Sequence, residues 1–209
     1  MLHGLDPTVL ALRERRSDAY LAFLGRIAPE KGPDRAIEIA ARTGMPLKIA
    51  AKIDAQDRAY WEAVVEPLVA SHSNVEYIGE IDENQKADFL GNAAALLFPI
   101  NWPEPFGLVM IEAMACGTPV LAFRYGSAPE VIDDGVSGIL VDTVDEAIES
   151  LERVLELDRR KVRESFERRF TTERMTRDYL DIYQNLPGVL RQTAPTPQGE
   201  PKKVGLEAA

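Results

Sequence analysis

The stretch at residues 93–123, AAALLFPINWPEPFGLVMIEAMACGTPVLAF, decides the fold of this chain. An apolar run over Ala93–Pro99 predicts a buried strand, and Phe106–Ala115 predicts a helix that Gly117 ends. A second apolar run, Thr118–Phe123, predicts the next strand. Strands that are apolar on both faces and joined by a helix are typical of a parallel sheet with helices on both sides.

The same alternation extends in both directions along the chain. The predicted strands are Tyr20–Gly25, Pro46–Ala51, Asn74–Gly79, Ala93–Pro99, Thr118–Phe123 and Gly138–Val141. The predicted helices are Pro33–Arg42, Asp54–Ser71 with a bend at Pro67, Asp82–Asn92, Phe106–Ala115, a single turn at Pro129–Ile132, and 144–156, 158–169 and 172–185. Because parallel crossovers are right-handed, the expected fold is α/β, a doubly wound Rossmann-like parallel sheet of about six strands.

Composition divides the chain into three parts and limits its function. Residues 1–19 are a charged lead-in with a partial helix near Pro7–Arg16, residues 20–186 are one domain, and the Pro- and Gly-rich residues 187–209 are expected to be a flexible tail. Asp and Glu number 34 against 24 Lys and Arg, which gives a charge of −10. That balance argues against a nucleic-acid or anionic-membrane surface, which needs clustered positive charge.

The compartment is predicted from the single cysteine and from the apolar runs. Cys116 alone allows no intrachain disulfide, and it reads as a small buried residue. No apolar run reaches the length of a transmembrane helix, and the N-terminus lacks the apolar core of a signal peptide. We therefore expect a cytoplasmic protein.

The loop after the first strand carries two cations. It reads GRIAPEKG, with Gly25 at the turn and Arg26 and Lys31 close to the next helix. Two cations at a helix N-terminus suit a diphosphate. The alternative is that Arg26 pairs with Glu30 and that Lys31 is solvated. Neither GxxxxGK[ST] nor GxGxxG occurs in the sequence.

The loop after the fourth strand carries two carboxylates, in PEPFGLVMIE. Glu104 precedes the predicted helix, and Glu112 lies inside it among apolar residues, where a carboxylate is costly without a hydrogen-bonded partner. A pair of sugar hydroxyls would be a suitable hydrogen-bonded partner for this carboxylate, and the amides of Phe106, Gly107 and Leu108 would point at the same ligand. The alternative is that Glu112 faces solvent and Glu104 is a helix N-terminal charge.

Two further segments are weaker candidates for the same crevice. Residues 126–130, GSAPE, follow the fifth strand and offer backbone amides and a hydroxyl, although a tight turn explains them equally well. Asn101 and Trp102 precede Glu104 and are candidates for lining a sugar pocket; a Trp beside two prolines is as often a packing residue.

With these motifs in order, residues 4–186 resemble the C-terminal, donor-binding domain of family 4 (group 1) glycosyltransferases of the GT-B fold. The resemblance rests on GRIAPEKG, on EPFGLVMIEAMACGTPVLA with its E-x7-E spacing, and on GSAPEV. It implies a hexosyltransferase that moves a sugar from a nucleotide-diphosphate sugar of UDP or GDP type, with retention. It also implies that no metal or other cofactor is needed, which agrees with the absence of an Asp-x-Asp triplet and with only two histidines, His3 and His72.

The resemblance also implies a role for each candidate residue. Arg26 and Lys31 would hold the diphosphate, Glu104 would contact the donor sugar, and Glu112 would contact the ribose. The implied catalytic residues are Arg26, Lys31 and Glu104. The implied donor-binding residues are Gly25, Ile78, Phe106, Gly107, Leu108 and Glu112, with Tyr77 and Gly79 beside Ile78 near the base. Lys52 departs from the Gly-rich loop that the family usually has after the second strand.

The resemblance predicts that something is missing. A GT-B enzyme has two Rossmann-like domains, so we expect an N-terminal acceptor-binding domain to precede this chain and the chain alone to be inactive. An alternative is a nucleotide-sugar or phosphate binding module without catalysis, completed by another chain. A receiver-like signalling domain is excluded, because the first strand ends in Gly25-Arg26 and the third in Gly79-Glu80 rather than in the required aspartates.

Overall fold

Six parallel strands form one sheet in the computed structural model, which describes residues 2–13 and 20–186. The strands are β1 (Leu21–Arg26), β2 (Leu47–Lys52), β3 (Val75–Gly79), β4 (Ala95–Phe98), β5 (Val120–Phe123) and β6 (Gly138–Val141). Their order across the sheet is β3-β2-β1-β4-β5-β6, and every pair is parallel. The predicted doubly wound, Rossmann-like fold is confirmed.

Helices connect successive strands and continue after β6. The α-helices are α1 (Pro33–Thr43), α2 (Arg58–Tyr60), α3 (Glu66–Ser71), α4 (Glu83–Asn92), α5 (Leu108–Ala115), α6 (Ala128–Val131), α7 (Val144–Glu149), α8 (Leu151–Leu155), α9 (Arg159–Arg169) and α10 (Thr172–Asn185). Short 3-10 turns form at Pro29–Lys31 and Ala55–Asp57, and a π-helical turn at Trp61–Val65. None of the described helices is both long and apolar enough to span a membrane.

Each face of the sheet has its own hydrophobic core. On one face, strand residues such as Ala22, Leu96 and Ala122 pack against α4, α5 and α9. On the other face, residues such as Phe23 and Leu97 pack against α1, α7 and α8. Because both faces are covered, the strands are continuous apolar runs rather than alternating ones.

The chain reverses its direction of winding between β1 and β4. From β1 it proceeds outward through β2 and β3, and from β4 it proceeds the other way through β5 and β6. The loops that leave β1 and β4 therefore diverge above the sheet. The crevice between them, at the carboxyl ends of the two strands, is where ligands bind in open α/β sheets.

Two predicted helices are interrupted in the structure. The helix over residues 54–71 contains the π-helical turn Trp61–Val65 just before Pro67, whose nitrogen has no proton to donate to the preceding turn. The helix over 144–156 breaks at Ser150, between α7 and α8. Helix α5 begins at Leu108, not Phe106, because Gly107 has a φ of 75° and cannot continue a helix.

The predicted lead-in is ordered in its first part. The predicted helix near Pro7–Arg16 is wrong as far as Arg13, where turns and irregular backbone occur. Thr8 donates its amide and hydroxyl to Asp6 Oδ1 at 2.8 and 2.6 Å, which competes with helix formation. The Leu5 amide donates to Phe170 O at 2.8 Å. Residues 14–19 and the predicted flexible tail, 187–209, lie outside the described residues.

Candidate functional site

A cleft of about 140 Å³ lies at the carboxyl ends of β1 and β4, at the predicted position. Its polar lining comes from Lys31 and Glu104, and its walls are apolar. The lining residues that the sequence singled out are Gly25, Lys31, Glu104, Gly107 and Leu108. Two separate loops, residues 25–32 and residues 103–112, therefore converge as the alternation of strands and helices predicts.

Backbone docking brings Lys31 into the cleft. Gly32 has a φ of 70°, and a Cβ there would lie 2.2 Å from Pro99 O, so the two loops touch through their backbones. The Asn101 amide donates to Glu30 O at 3.1 Å across the same contact. Lys31 consequently reaches Glu104, and its Nζ donates to Glu104 Oε2. The alternative in which Lys31 is merely solvated is wrong.

Glu104 is held through its backbone as well as its side chain. The Trp102 Nε1–H donates to Glu104 Oε2 at 2.8 Å, and the Ser127 amide donates to Glu104 O at 2.9 Å. The side chain of Glu104 is only 13% exposed. The GSAPE segment supports this loop, because the Ser127 hydroxyl donates to Phe106 O at 2.7 Å. That hydroxyl is therefore engaged with the protein.

The start of α5 offers free backbone donors beside Glu104. Gly107 precedes the helix in a left-handed conformation, and a Cβ there would approach Phe98 to 2.9 Å, so only glycine fits. Among the described residues, no acceptor takes a hydrogen bond from the amides of Phe106, Gly107 and Leu108. Unpaired amides at a helix N-terminus favour an anion or a polar oxygen.

A second cavity, of about 260 Å³, lies on the other side of Gly25. Its floor is made of small residues, Gly25, Ala50 and Ala51, from β1 and β2. Charged side chains surround the opening: Lys52, Glu80, Glu83, Lys86 and Glu112. Gly25 lines both cavities, and a Cβ added there would meet nothing within 4 Å.

Glu112 faces the second cavity and is paired. Lys86 Nζ donates to Glu112 Oε1 at 2.8 Å, and both side chains are 14% exposed. The alternative in which Glu112 faces solvent is wrong. Burial lowers the pKa of Lys86, but its hydrogen bonds to Glu112 and Glu83 outweigh burial, and the pKa is raised above its usual value. Lys86 was not predicted from the sequence, although it is the only basic residue of α4 and a buried Glu112 requires a partner.

Arg26 lies apart from Lys31. Its guanidinium contacts Glu30 at 2.5 Å, Asp57 at 3.4 Å and Asp54 at 3.9 Å, and it lines neither cavity. The pairing of Arg26 with Glu30 is the alternative that the sequence left open. The structure thus brings Lys31 and Glu104 together and places Arg26 in an acidic cluster beside them.

Ile78 has different surroundings from those that the sequence predicts. Ile78 is 37% exposed and lies outside both cavities, whereas Glu80 and Ile81, which follow β3, line the second one. A glycine with a φ of 81°, Gly79, redirects the chain between them. Cys116 is buried as expected, and burial raises the pKa of its thiol to about 11.

The site therefore combines groups that suit different parts of one polar ligand. Lys31 and the α5 amides suit negatively charged oxygens, while Glu104 and Glu112 accept hydrogen bonds from hydroxyls. Across the described parts of the chain, no group of three or more His, Cys, Asp or Glu side chains could hold a metal ion. These features define an α/β domain with a candidate ligand site at the switch point of the sheet.

Comparison with known proteins identifies the family. The model of the family "Glycosyl transferases group 1" matches residues 11–171. A D-inositol 3-phosphate glycosyltransferase of Mycolicibacterium smegmatis is 36% identical over 125 residues, which are 58% of this chain and 29% of that protein. Another, from Saccharomonospora viridis, is 34% identical over 193 residues, 83% of this chain and 44% of that protein.

A solved structure shows the same fold. Anabaena HepE, determined in complex with UDP, has a TM-score of 0.73 at 18% identity, over 88% of this chain and 56% of that one. The chain belongs to the group 1 glycosyl transferase family, as the resemblance predicted. It spans less than half the length of the two curated relatives described above.

Proposed function

We propose that this chain is the donor-binding part of a glycosyltransferase that takes a sugar from a nucleotide-diphosphate sugar. The observation that carries the proposal is the convergence of Lys31, Glu104 and the free α5 amides on one cleft, which shares Gly25 in its lining with the cavity of Glu112. The diphosphate lies by Lys31 and the amides, the sugar by Glu104, and the nucleoside in the second cavity.

The chemistry of the step explains the need for these groups. When the bond between the anomeric carbon and the diphosphate oxygen breaks, negative charge develops on the departing diphosphate and positive charge on the sugar ring. Lys31 and the α5 amides stabilise the first charge, and the Glu104 carboxylate stabilises the second. On this proposal no metal ion is required, because protein cations and amides perform that role. Retention of the anomeric configuration is part of the proposal on the ground of family resemblance.

The proposal includes a second domain. In the S. viridis relative, the matched region covers 44% of the protein, and a group 1 enzyme of the GT-B fold binds its acceptor in an N-terminal domain. We therefore expect the isolated chain to bind the donor without transferring the sugar. The nucleotide is of UDP or GDP type.

Calorimetric titration of the purified chain with UDP, GDP and ADP, and with their sugars, tests the proposal. We expect Lys31→Ala to weaken binding of the preferred nucleoside diphosphate by about 1–3 kcal/mol, the contribution of a charge-assisted hydrogen bond. The matched control is Arg42→Ala, which removes an exposed cation on α1 that pairs with Glu38 and Asp145. The affinity of Arg42→Ala for the nucleoside diphosphate should equal that of the wild type.

Two results would count against the proposal. Wild-type chain that binds no nucleoside diphosphate contradicts the donor site itself. Turnover by the isolated chain on an added acceptor contradicts the requirement for a second domain. If donor binds but an added N-terminal domain from a relative restores no transfer, the alternative of a non-catalytic binding module is favoured.

A further inference from the structure

The Glu104 carboxylate is asymmetric in its environment. Oε2 accepts from both the Trp102 indole N–H, at 2.8 Å, and Lys31 Nζ. In the described part of the chain, no group donates a hydrogen bond to Oε1. Buried side-chain atoms without a partner occur elsewhere in the structure, but Oε1 is not one of them, so it is accessible to solvent. A carboxylate oxygen has two lone pairs, so Oε2 is saturated and Oε1 is left for a ligand.

Trp102 does more here than fill space. Its ring lies 4.9 Å from Lys31 Nζ and packs against the edge of the core on the α5 side of the sheet. A phenylalanine could make both of these contacts. Only the indole N–H can donate to Oε2, because Trp is an N–H donor and Phe has none. The hydrogen bond therefore distinguishes a positioning role from a packing role.

The orientation of Glu104 needs such a donor. Lys31 is a flexible point charge with rotatable donors, so by itself it can follow the carboxylate through several rotamers. The indole is planar and attached only two residues away, and the Glu104 amide donates to Trp102 O at 2.8 Å, which ties the two residues together. The indole N–H thus selects one rotamer of Glu104.

We propose that Trp102 is a positioning residue that turns Glu104 Oε1 toward the donor sugar and so sets the sugar's share of the binding affinity. This inference rests on the proposed function, because Glu104 must face the sugar rather than the nucleotide. It assigns Trp102 no contact with the nucleoside or the diphosphate. The sugar is recognised by a hydroxyl that donates to Oε1.

The test compares nucleotides with nucleotide sugars on the full 209-residue chain. Wild type, Trp102→Phe and the control Trp61→Phe are titrated with UDP and GDP and with a panel of UDP-hexoses and GDP-mannose. Trp61 is the other tryptophan; its ring packs against Tyr77 with the ring centroids 4.5 Å apart, and it lines neither cavity. The quantity of interest is the ratio of the two dissociation constants, nucleotide over nucleotide sugar.

We expect Trp102→Phe to lower that ratio about tenfold for the preferred sugar, the effect of about one charge-assisted hydrogen bond, and to leave nucleotide affinity unchanged. Trp61→Phe should change neither quantity. An unchanged ratio in Trp102→Phe overturns the inference while the donor site stands. Wild type that binds no nucleotide overturns the proposed function and this inference together.

A second measurement does not depend on the stability of Trp102→Phe. The wild type should give two indole N–H signals in a ¹⁵N spectrum. The signal that is lost in Trp61→Phe belongs to Trp61, and the remaining one belongs to Trp102. The Trp102 signal should shift in Glu104→Gln, and it should shift further on addition of the nucleotide sugar than on addition of the nucleotide alone. A Trp102 signal that ignores Glu104→Gln contradicts the hydrogen bond on which the inference depends.

Discussion

The half-buried charged side chains at the candidate site are paired with groups of opposite charge. Lys31 pairs with Glu104, Lys86 pairs with Glu112, and Arg26 is surrounded by acidic side chains. In a half-buried site an unpaired charge is costly, so each of these side chains is held in place by a partner of opposite charge. The ligand must therefore insert its own charges between groups that already have partners.

Arg26 illustrates the consequence for binding. Its carboxylate partners Glu30, Asp54 and Asp57 repel a diphosphate, and they offset part of the attraction of the guanidinium. The sequence alone predicts equal contributions from Arg26 and Lys31, about 1–3 kcal/mol each. The structure favours a larger contribution from Lys31, which lines the cleft.

The Lys86–Glu112 pair makes a pH-dependent contribution to stability. Because the pKa of Lys86 is raised above its ordinary value of 10.5 in the folded chain, the pair stabilises the fold fully below pH 10.5 and loses that effect as the pH rises through the raised pKa. We expect Lys86→Met to lower the free energy of unfolding at pH 7 by about 1–3 kcal/mol, since Glu112 is left buried without its partner.

Urea unfolding of wild type and Lys86→Met, followed from pH 7 to above pH 10.5, checks this prediction. The difference between the two proteins should shrink at the alkaline end of the range. Lys161→Met, at an exposed position on α9, controls for removal of a lysine from the surface. A difference that stays constant with pH would show that the lysine acts through packing of its aliphatic chain.

At the scale of elements, glycines at loop contacts determine how the site is assembled. Gly126 has a φ of 54°, and a Cβ there would lie 2.3 Å from the Glu104 amide nitrogen. The loop after β5 is thus in backbone contact with the loop after β4. The N-terminus of α5 and the carboxylate of Glu104 depend on this contact for their positions.

We expect Gly126→Ala to destabilise the chain and to weaken binding of the nucleotide sugar, because the Glu104 loop must move. The control is Gly44→Ala. Gly44 has a φ of 70°, but a Cβ added there would meet nothing within 4 Å. Gly44→Ala should cost only the left-handed backbone strain, about 1–2 kcal/mol. Gly126→Ala should cost more, and thermal unfolding together with calorimetry measures both effects. Equal costs for the two variants would contradict the docking contact.

At the scale of the whole molecule, two arginines of α9 fasten distant segments together. Arg159 donates to Gly91 O, Ala93 O and Arg13 O at 2.8–2.9 Å and to the Thr118 hydroxyl at 2.7 Å. Arg163 donates to Pro7 O at 2.8 Å and Leu10 O at 2.6 Å. These bonds hold the N-terminal segment and the loops before β4 and β5 against one helix.

We expect Arg159→Met to lower the free energy of unfolding by about 3 kcal/mol or more, because several half-buried carbonyls lose their donor at once. Lys161→Met, two residues further along α9 at an exposed position, is the control and should change stability little. Denaturant unfolding measures both variants. If Arg159→Met were as stable as the control, water would be replacing the guanidinium at those carbonyls.

Much of the architecture could be predicted from local pattern. The strands are apolar runs, and the helix ends carry their signals: Gly44 ends α1 with a φ of 70°, and Asp82 caps α4 with Gln85 in a capping box. The failures have local causes that patterns do not show. As far as Arg13, turns replace the helix expected near Pro7–Arg16. The Thr8 amide donates to the Asp6 carboxylate, and Arg163 of α9 donates to the backbone carbonyls of Pro7 and Leu10.

The sequence by itself determined the doubly wound sheet, since the apolar runs mark the segments that form its strands. It also determined the edge of the sheet at which the polar residues gather, because the loops that follow parallel strands lie on one side. Only the tertiary structure decided the partner of each charge. Lys86 meets Glu112, 26 residues away, and Lys31 meets Glu104, 73 residues away. Arg26 turns to carboxylates that follow β2. Such pairings depend on which loops touch, and on distances of a few ångströms that spacing along the chain does not encode.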